Sequence, residues 1–230
     1  MDLESFKALE NSPLGQSSAI SSFGNLQLIK GLSFFYNDTE TNHPILEIGG
    51  GIGTITKTLL ENYQCDIYCY EMNEFCLKML AELQNQGNNS ERLNVSSDLS
   101  EWLEINFSAV IIDGPISRKQ MRGIINKSSE LKFILVENYR LLSRLHISIE
   151  LFKSRYRQQY LEVRHNFKPV AAVFFVEKTS NSAISVHRCV DVLFTFLRIF
   201  PKLVLHIFLS RGKILKVGKV KEDGYGILKS

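Results

Sequence analysis

The sequence predicts an α/β fold with a doubly wound, mostly parallel sheet. Three observations predict it. Short apolar runs alternate with helical patterns over residues 37–178, the first run (44–48) leads into a glycine-rich turn (49–53), and the second run (66–70) ends at Glu71. Together these features are typical of a nucleotide-binding βαβ unit. A chain of 230 residues is long enough for one such domain with additional segments.

The elements follow from hydrophobic periodicity and turn residues. The helix after the glycine turn spans 54–63, so its N-terminal N–H groups face that turn. The later helices are predicted at 73–86, 99–103, 118–131 and 139–156. The later strands are predicted at 92–96, 107–112, 133–136, 160–167 and 171–177, the last two across a turn at Lys168-Pro169. With the first two strands, this alternation predicts seven strands.

Two further segments flank this core. Residues 1–36 contain a turn-rich linker at 12–18 and a helix candidate at 25–36. Residues 179–230 carry nine Lys or Arg against three Asp or Glu, about +6, whereas residues 1–178 sum to about −3. The extension is therefore predicted to be a separate basic segment, partly amphipathic in character.

The apolar stretch at 189–209 is interrupted by Asp191, Arg198, Lys202 and His206 and contains Pro201, so it is a poor candidate for a membrane span. The four polar residues fall near one helical face. The apolar remainder is predicted to dock on the core, to form a homodimer, or to contact a membrane surface through residues 187–221. These alternatives stay open.

The cysteines and the N-terminal residues predict a cytoplasmic protein. Cys65, Cys69, Cys76 and Cys189 form no CxxC pair and no zinc-like cluster, so we interpret them as reduced packing residues. The first residues are acidic and lack the apolar core of a secretory signal. We expect a cytoplasmic location, with the basic extension allowing peripheral contact at the inner membrane surface.

The glycine turn reads Glu47-x-Gly49-x-Gly51-x-Gly53 and lacks the third glycine of a dinucleotide site. It resembles motif I of class I S-adenosylmethionine (SAM) dependent methyltransferases, and the pair of final strands resembles the antiparallel hairpin that closes their Rossmann-like sheet. The resemblance implies that the methionine part of SAM is held by Glu47, Gly49, Gly50, Gly51 and Gly53.

The same resemblance assigns two more carboxylates to the cofactor and gives residues 1–36 a role. It implies that Glu71 binds the ribose hydroxyls and that Asp98 accepts a hydrogen bond from the adenine amino group. Asp98 is also suited to cap the short helix at 99–103, and the two roles are compatible. Segments that precede the core in this superfamily commonly cover the substrate, so residues 1–36 are expected to form a helical lid.

Chemistry is expected where Asp113 and Glu137-Asn138 end two neighbouring strands. Asp113-Gly114-Pro115-Ile116 departs from the Asn/Asp-Pro-Pro-aromatic motif of methyltransferases that act on DNA bases or glutamine. The placement of Asp113, Glu137 and Asn138 resembles that of the metal ligands in catechol-type O-methyltransferases, which implies a Mg²⁺ site. The alternative is that these residues cap the loops and the helix that follow them.

A looser resemblance concerns the acceptor. Asp113-Gly114-Pro115 with Arg118, and Glu137 with Arg140, resemble bacterial methyltransferase-like proteins associated with surface-polysaccharide synthesis. This resemblance implies a sugar or another small hydroxyl compound as acceptor.

Position alone makes Asp113, Lys119 and His165 the candidate general bases. His165 lies in a predicted strand and is equally explained as a packed core residue.

The sequence therefore predicts a SAM-dependent methyltransferase that acts on oxygen of a small-molecule or glycan acceptor. One alternative is a non-catalytic module of the same fold that the basic extension recruits to a membrane or partner. A second is a nucleic-acid methyltransferase, which is less expected because few aromatic residues interleave with the basic ones. An aminopropyltransferase or an NAD-linked oxidoreductase on this fold is disfavoured, since neither has its motif here.

Overall fold

The computed structural model describes residues 3–17, 21–37, 43–137, 141–154, 156–165, 168–178, 193–197, 199 and 201. The helices are α1 (Leu3–Glu10), α2 (Pro13–Ser17), α3 (Phe23–Asn37), α4 (Thr54–Asn62), α5 (Glu74–Gln84), α6 (Arg118–Lys127) and α7 (Leu141–Lys153). The strands are β1 (Ile45–Ile48), β2 (Ile67–Tyr70), β3 (Leu93–Ser96), β4 (Ala109–Ile112), β5 (Phe133–Glu137), β6 (Tyr156–His165) and β7 (Lys168–Lys178). Two short 3₁₀ helices lie at Asn89–Glu91 and Leu99–Trp102.

The seven strands form one sheet in the order β3-β2-β1-β4-β5-β7-β6. The first five strands are parallel, and β7 runs antiparallel between β5 and β6. In register, Ile48 pairs with Tyr70 and with Ile112, and Ile112 pairs with Val136. The predicted fold class is confirmed. This register brings the carboxyl ends of β1, β2, β4 and β5 to one edge of the sheet, which we call the ligand edge.

Helices cover both faces of the sheet, so the inner strands are buried on both sides and consist of nearly continuous apolar residues. On one face, α1, α3, α4 and α5 pack around Leu26, Ile29 and Leu59. On the other face, α6 and α7 pack around Ile124 and Ile147. On the first face, helix α3 shares its apolar cluster with residues of β4 and β5, the two strands that lead to Asp113 and Glu137.

The segment at 12–18, predicted to be a linker, is mostly the short helix α2. Ser12 provides its N-terminal cap, since the Gly15 backbone N–H donates to Ser12 Oγ at 3.1 Å. Pro13 occupies the first helical position, where its missing N–H costs nothing. The linker prediction was wrong because Ser-Pro is a helix start as well as a turn signal.

The predicted turn at Lys168-Pro169 was also wrong, because both residues belong to β7. Pro169 pairs with Arg164, immediately after a shift of register between Val163 and Arg164. Such an irregularity tolerates the missing proline N–H. Residues 166–167, which connect the two strands, lie outside the described residues.

Of the extension at 179–230, the described residues are 193–197, 199 and 201. Ile199 is fully buried and belongs to the core cluster on the α6 and α7 face. No helix in the described part of the chain has the length and apolar character needed to cross a membrane. Cys65, Cys69 and Cys76 are free thiols, and Cys189 lies outside the described residues.

Candidate active site

The glycine turn follows β1 at the ligand edge, and three of its residues have left-handed backbones. The φ angles are 88° at Gly49, 52° at Gly51 and 86° at Gly53. A Cβ on Gly49 would lie 2.4 Å from the Gly114 backbone nitrogen, and a Cβ on Gly50 would lie 2.3 Å from the Cys69 sulfur. Gly49 and Gly50 are therefore required for packing within the protein.

Gly114 has the reciprocal requirement, because a Cβ there would lie 2.8 Å from the Gly49 Cα. The Ile48 carbonyl accepts hydrogen bonds from the backbone N–H of Asp113 at 2.8 Å and of Gly114 at 2.6 Å. These contacts join the end of β1 to the loop after β4. They account for the glycine in Asp113-Gly114-Pro115 and place the Asp113 side chain next to the glycine turn.

Glu47 is a fully buried carboxyl in β1. Its Oε2 accepts a hydrogen bond from Thr56 Oγ1 at 2.7 Å, which links β1 to α4. Its Oε1 is also buried, and no residue in the described ranges donates a hydrogen bond to it. Burial raises the pKa of Glu47 to about 8, and the nearby carboxyl groups of Asp113 and Glu137 contribute to this shift.

Glu137 ends β5 and is nearly fully buried beside Asp113. Ser21 Oγ donates to Glu137 Oε1, and the side chains of Asn25 and Asp113 also hydrogen-bond this carboxyl. Burial and the charge of Asp113 raise the pKa of Glu137 to about 8. Glu137 therefore holds a proton near neutral pH, and Asp113 beside it is half-buried.

Ser21 and Asn25 were not predicted from the sequence as site residues, and neither was Thr56. Ser21 lies two residues before α3, and Asn25 lies in its first turn. This pair of small polar residues is the one signal in the sequence that indicates a polar contact. It does not identify Glu137, which is distant in sequence, as the partner.

Glu71 lies at the end of β2, as predicted, and in the structure it holds the glycine turn. Its Oε2 accepts from the Gly51 backbone N–H at 2.8 Å, and its Oε1 accepts from Met72 and Asn73 at 2.7 and 2.9 Å. A carboxylate offers about four acceptor positions, so three protein donors leave acceptor capacity for a ligand hydroxyl.

Asp98 forms the cap that the sequence suggested. Its side chain accepts from the Ser100 backbone N–H at 2.8 Å at the start of the 3₁₀ helix, and this hydrogen bonding lowers the pKa of Asp98. Asp98 is fully exposed, so the contact with adenine stays a prediction.

The predicted magnesium site at Asp113, Glu137 and Asn138 stays a prediction. Among the described residues, no group of three His, Cys, Asp or Glu side chains is arranged to hold a metal ion. Asp113 and Glu137 do lie together, but Glu137 is already hydrogen-bonded by Ser21 and Asn25. Asn138, the third predicted ligand, lies outside the described residues. The described residues alone therefore do not support a Mg²⁺ site.

Of the other two candidate bases, Lys119 has an exposed side chain in the first turn of α6. His165 ends β6, and its side chain lies outside the described part of the structure. Asp113 is thus the candidate base with the best-defined surroundings.

Arg118, at the start of α6, binds the buried Glu150 of α7 at 2.9 Å, and so does Arg122 at 2.8 Å. This ion-pair network joins α6 to α7.

The residues at the ligand edge fit SAM. SAM carries a sulfonium and an ammonium group, and the acceptor Glu47 Oε1 lies buried in a region of negative charge. The position of the glycine turn at the ligand edge and the remaining acceptor capacity of Glu71 suit a nucleoside-bearing ligand.

Comparison with known proteins supports this description of the fold. The human methyltransferase 10 domain containing protein has a TM-score of 0.53 and 16% identity, over 76% of this chain and 97% of that one. A candidate O-methyltransferase from Klebsiella pneumoniae has a TM-score of 0.54 and 14% identity, over 76% and 96% of the two chains. The B. subtilis m1A22 tRNA methyltransferase TrmK has a TM-score of 0.52 and 10% identity, over 86% and 88%.

The chain therefore has the fold of class I SAM-dependent methyltransferases. No family model and no curated protein matches the sequence.

Replacing Gly114 with alanine tests the contact between the glycine turn and the β4 loop. We expect Gly114→Ala to lower the free energy of unfolding by about 1–3 kcal/mol, because the new methyl group overlaps the Gly49 backbone. Urea unfolding measures the change. Gly123→Ala in α6 is the control, because its Cβ would lie 3.8 Å from the Leu103 side chain, an ordinary van der Waals distance. We expect it to stabilise the protein by about 0.5–1 kcal/mol. A Gly114→Ala protein as stable as the wild type would contradict the contact.

The raised pKa of Glu47 predicts a pH-dependent effect of Glu47→Gln on stability. The protonated carboxyl contributes stability that is fully present below its ordinary pKa of 4.5 and is lost as the pH rises through about 8. Between pH 5 and pH 9, the wild-type Tm should therefore fall relative to that of the variant. The exposed Glu104→Gln should follow the wild type. A Tm difference that is the same at both pH values would show that Glu47 titrates normally.

Proposed function

We propose that the protein transfers the methyl group of SAM to a hydroxyl oxygen of a small-molecule or glycan acceptor. The observation that carries this proposal is the cluster of Glu47, Asp113 and Glu137 beside the glycine turn. The three carboxyls come from β1, β4 and β5, three strands that are neighbours in the sheet. The fold supports the same reaction class, and ligands bind such sheets at this edge.

SAM supplies an electrophilic methyl group on a sulfonium centre. On the protein side, Glu47 provides a buried acceptor for its ammonium group, and Glu71 provides acceptors for the ribose hydroxyls. The negative charge of Asp113 adds to the attraction of this edge for a cationic ligand. The site binds SAM through groups that are already in place, so little reorganisation is needed.

Asp113 accepts the proton of the acceptor hydroxyl in this proposal. Because Glu137 holds a proton near neutral pH, Asp113 is the member of the pair that is ionised and able to act as a base. Glu137 also hydrogen-bonds the Asp113 side chain and so fixes its orientation. Glu137 is therefore a positioning residue.

The N-terminal segment supports a role in covering the acceptor. Ser21 and Asn25 reach across to Glu137, so the start of α3 lies directly against the base and its partner. We assign this part of residues 1–36 to a lid that excludes water from the acceptor side. A site closed in this way strengthens the interactions within it, because the local dielectric constant falls.

Oxygen is favoured as the acceptor atom because a hydroxyl must lose its proton when it is methylated, and Asp113 is placed to take that proton. Asp113-Gly114-Pro115 also lacks the second proline and the aromatic residue associated with methylation of DNA bases or glutamine. The similar structures include a tRNA methyltransferase and a candidate O-methyltransferase, so they support methyl transfer in general. A nucleic-acid acceptor is an outcome that the test below distinguishes.

The test is formation of S-adenosylhomocysteine from SAM with a panel of sugars, nucleotide sugars and phenols, and with RNA as a separate arm. We expect turnover with a hydroxyl acceptor and a fall in kcat of at least about 100-fold in Asp113→Asn, the scale of a lost general base. SAM affinity should change by less than about tenfold. Glu104→Gln, at an exposed position remote from the ligand edge, is the matched control.

Turnover only with RNA, or full activity in Asp113→Asn, would contradict the proposal. A folded protein that binds SAM but methylates no acceptor would favour the non-catalytic alternative.

A further inference from the structure

The extension contains a short helical segment whose outward face is apolar. Leu193, Phe194, Phe196 and Leu197 are 55%, 59%, 37% and 56% exposed. We call these four side chains the outer apolar face. They are consecutive except for Thr195, and all four are large. Contiguous exposed apolar groups of this kind mark an interaction site on a folded protein.

The same segment is anchored to the core by its other side. Thr195 is 2% exposed and Ile199 is fully buried. Ile199 belongs to the same core cluster as Tyr160 of β6 and Phe174 of β7. At 100° per residue, Thr195 and Ile199 share one side of a helix, while Leu193 and Leu197 share the other. A surface helix normally turns its apolar stripe inward, and this segment turns much of it outward.

We propose that the outer apolar face binds an anionic membrane surface and holds the enzyme fold against it. This inference goes beyond methyl transfer and does not depend on it. No helix in the described ranges is able to cross a bilayer, so the contact would be peripheral. Phe and Leu side chains on a helix that lies in the membrane interface bury their apolar groups at the boundary between headgroups and acyl chains.

Charge selects a membrane over a second copy of this chain. Residues 179–230 carry about +6, and Lys213, Lys216 and Lys219 follow the outer apolar face in the sequence. A second copy of this chain carries the same positive extension, and this like charge disfavours a dimer through the outer apolar face. An anionic lipid surface has the opposite charge and attracts basic residues that lie close to it.

The outer apolar face has only four side chains, so membrane binding should require both this face and the basic residues of the extension. A single weak apolar anchor gives only marginal membrane binding, and the binding becomes stable when a cluster of basic residues is added. Binding is therefore expected to require anionic lipid and to weaken as the salt concentration rises, since salt screens the attraction.

The test is co-sedimentation of the full chain with vesicles of phosphatidylcholine alone or of phosphatidylcholine with 30% phosphatidylglycerol, in 0.1 M and 0.5 M salt. We expect at least tenfold tighter binding to the anionic vesicles at low salt. The double variant Phe194→Ser with Leu197→Ser should lose at least tenfold of that affinity. The matched control is Phe34→Ser, which changes a phenylalanine that is 77% exposed in α3.

The wild type, the double variant and the control are compared for Tm, so that loss of binding is not confused with unfolding. Should the double variant unfold, the single Phe194→Ser variant takes its place, with an expected loss of at least threefold.

Equal binding of the variant and the wild type would overturn the proposal, and so would equal binding to both kinds of vesicle. A dimer detected by light scattering that the same substitutions dissociate would assign the face to a second copy instead. Because the assay requires no SAM, its failure is distinguishable from failure of the proposed methyl transfer.

Discussion

The backbones of Gly49 and Gly114 touch, and the arrangement of the ligand edge depends on that contact. With no side chain at either position, the Ile48 carbonyl is able to accept from both Asp113 and Gly114. The loop after β4 is thereby held against the end of β1, the central strand of the unit that carries the glycine turn. Parallel pairing of β4 with β5 then brings Glu137 to the side of Asp113. A cofactor-binding turn and a candidate base are fixed relative to each other by backbone atoms alone.

This arrangement concentrates carboxyl groups in a buried region, where charge is costly. Burial raises the pKa of Glu47 and of Glu137 to about 8, so at neutral pH these two groups are largely protonated. Thr56 and Ser21 each donate a hydrogen bond to one of them. A cation bound beside Glu47 would explain why its second oxygen, Oε1, is buried without a hydrogen bond from the described residues. A ligand with positive charge would stabilise the ionised form, which links cofactor binding to proton release.

The fold was predictable from the sequence because its strands are continuous apolar runs that end at glycine or at an acidic residue, as β1 and β4 do. Glu47, Glu71 and Asp113 were identified for the same reason, since their positions follow from where a strand ends. Ser21 was not, because its contact with Glu137, which is 116 positions away, leaves no local pattern. Thr56 is only nine positions from Glu47, but the packing of α4 on β1 decides that this side chain meets the carboxyl. The segment around Leu193 illustrates the same limit: periodicity predicted its two faces, whereas only packing decides which face is buried.

Calorimetric titration of SAM and S-adenosylhomocysteine into the wild type and into Glu71→Ala, with NAD as control, tests whether the glycine turn and the carboxyl groups around it bind SAM. We predict micromolar binding of both SAM and S-adenosylhomocysteine to the wild type, a loss of at least tenfold in the variant, and no binding of NAD. Absence of SAM binding to the folded wild-type protein would contradict the claim.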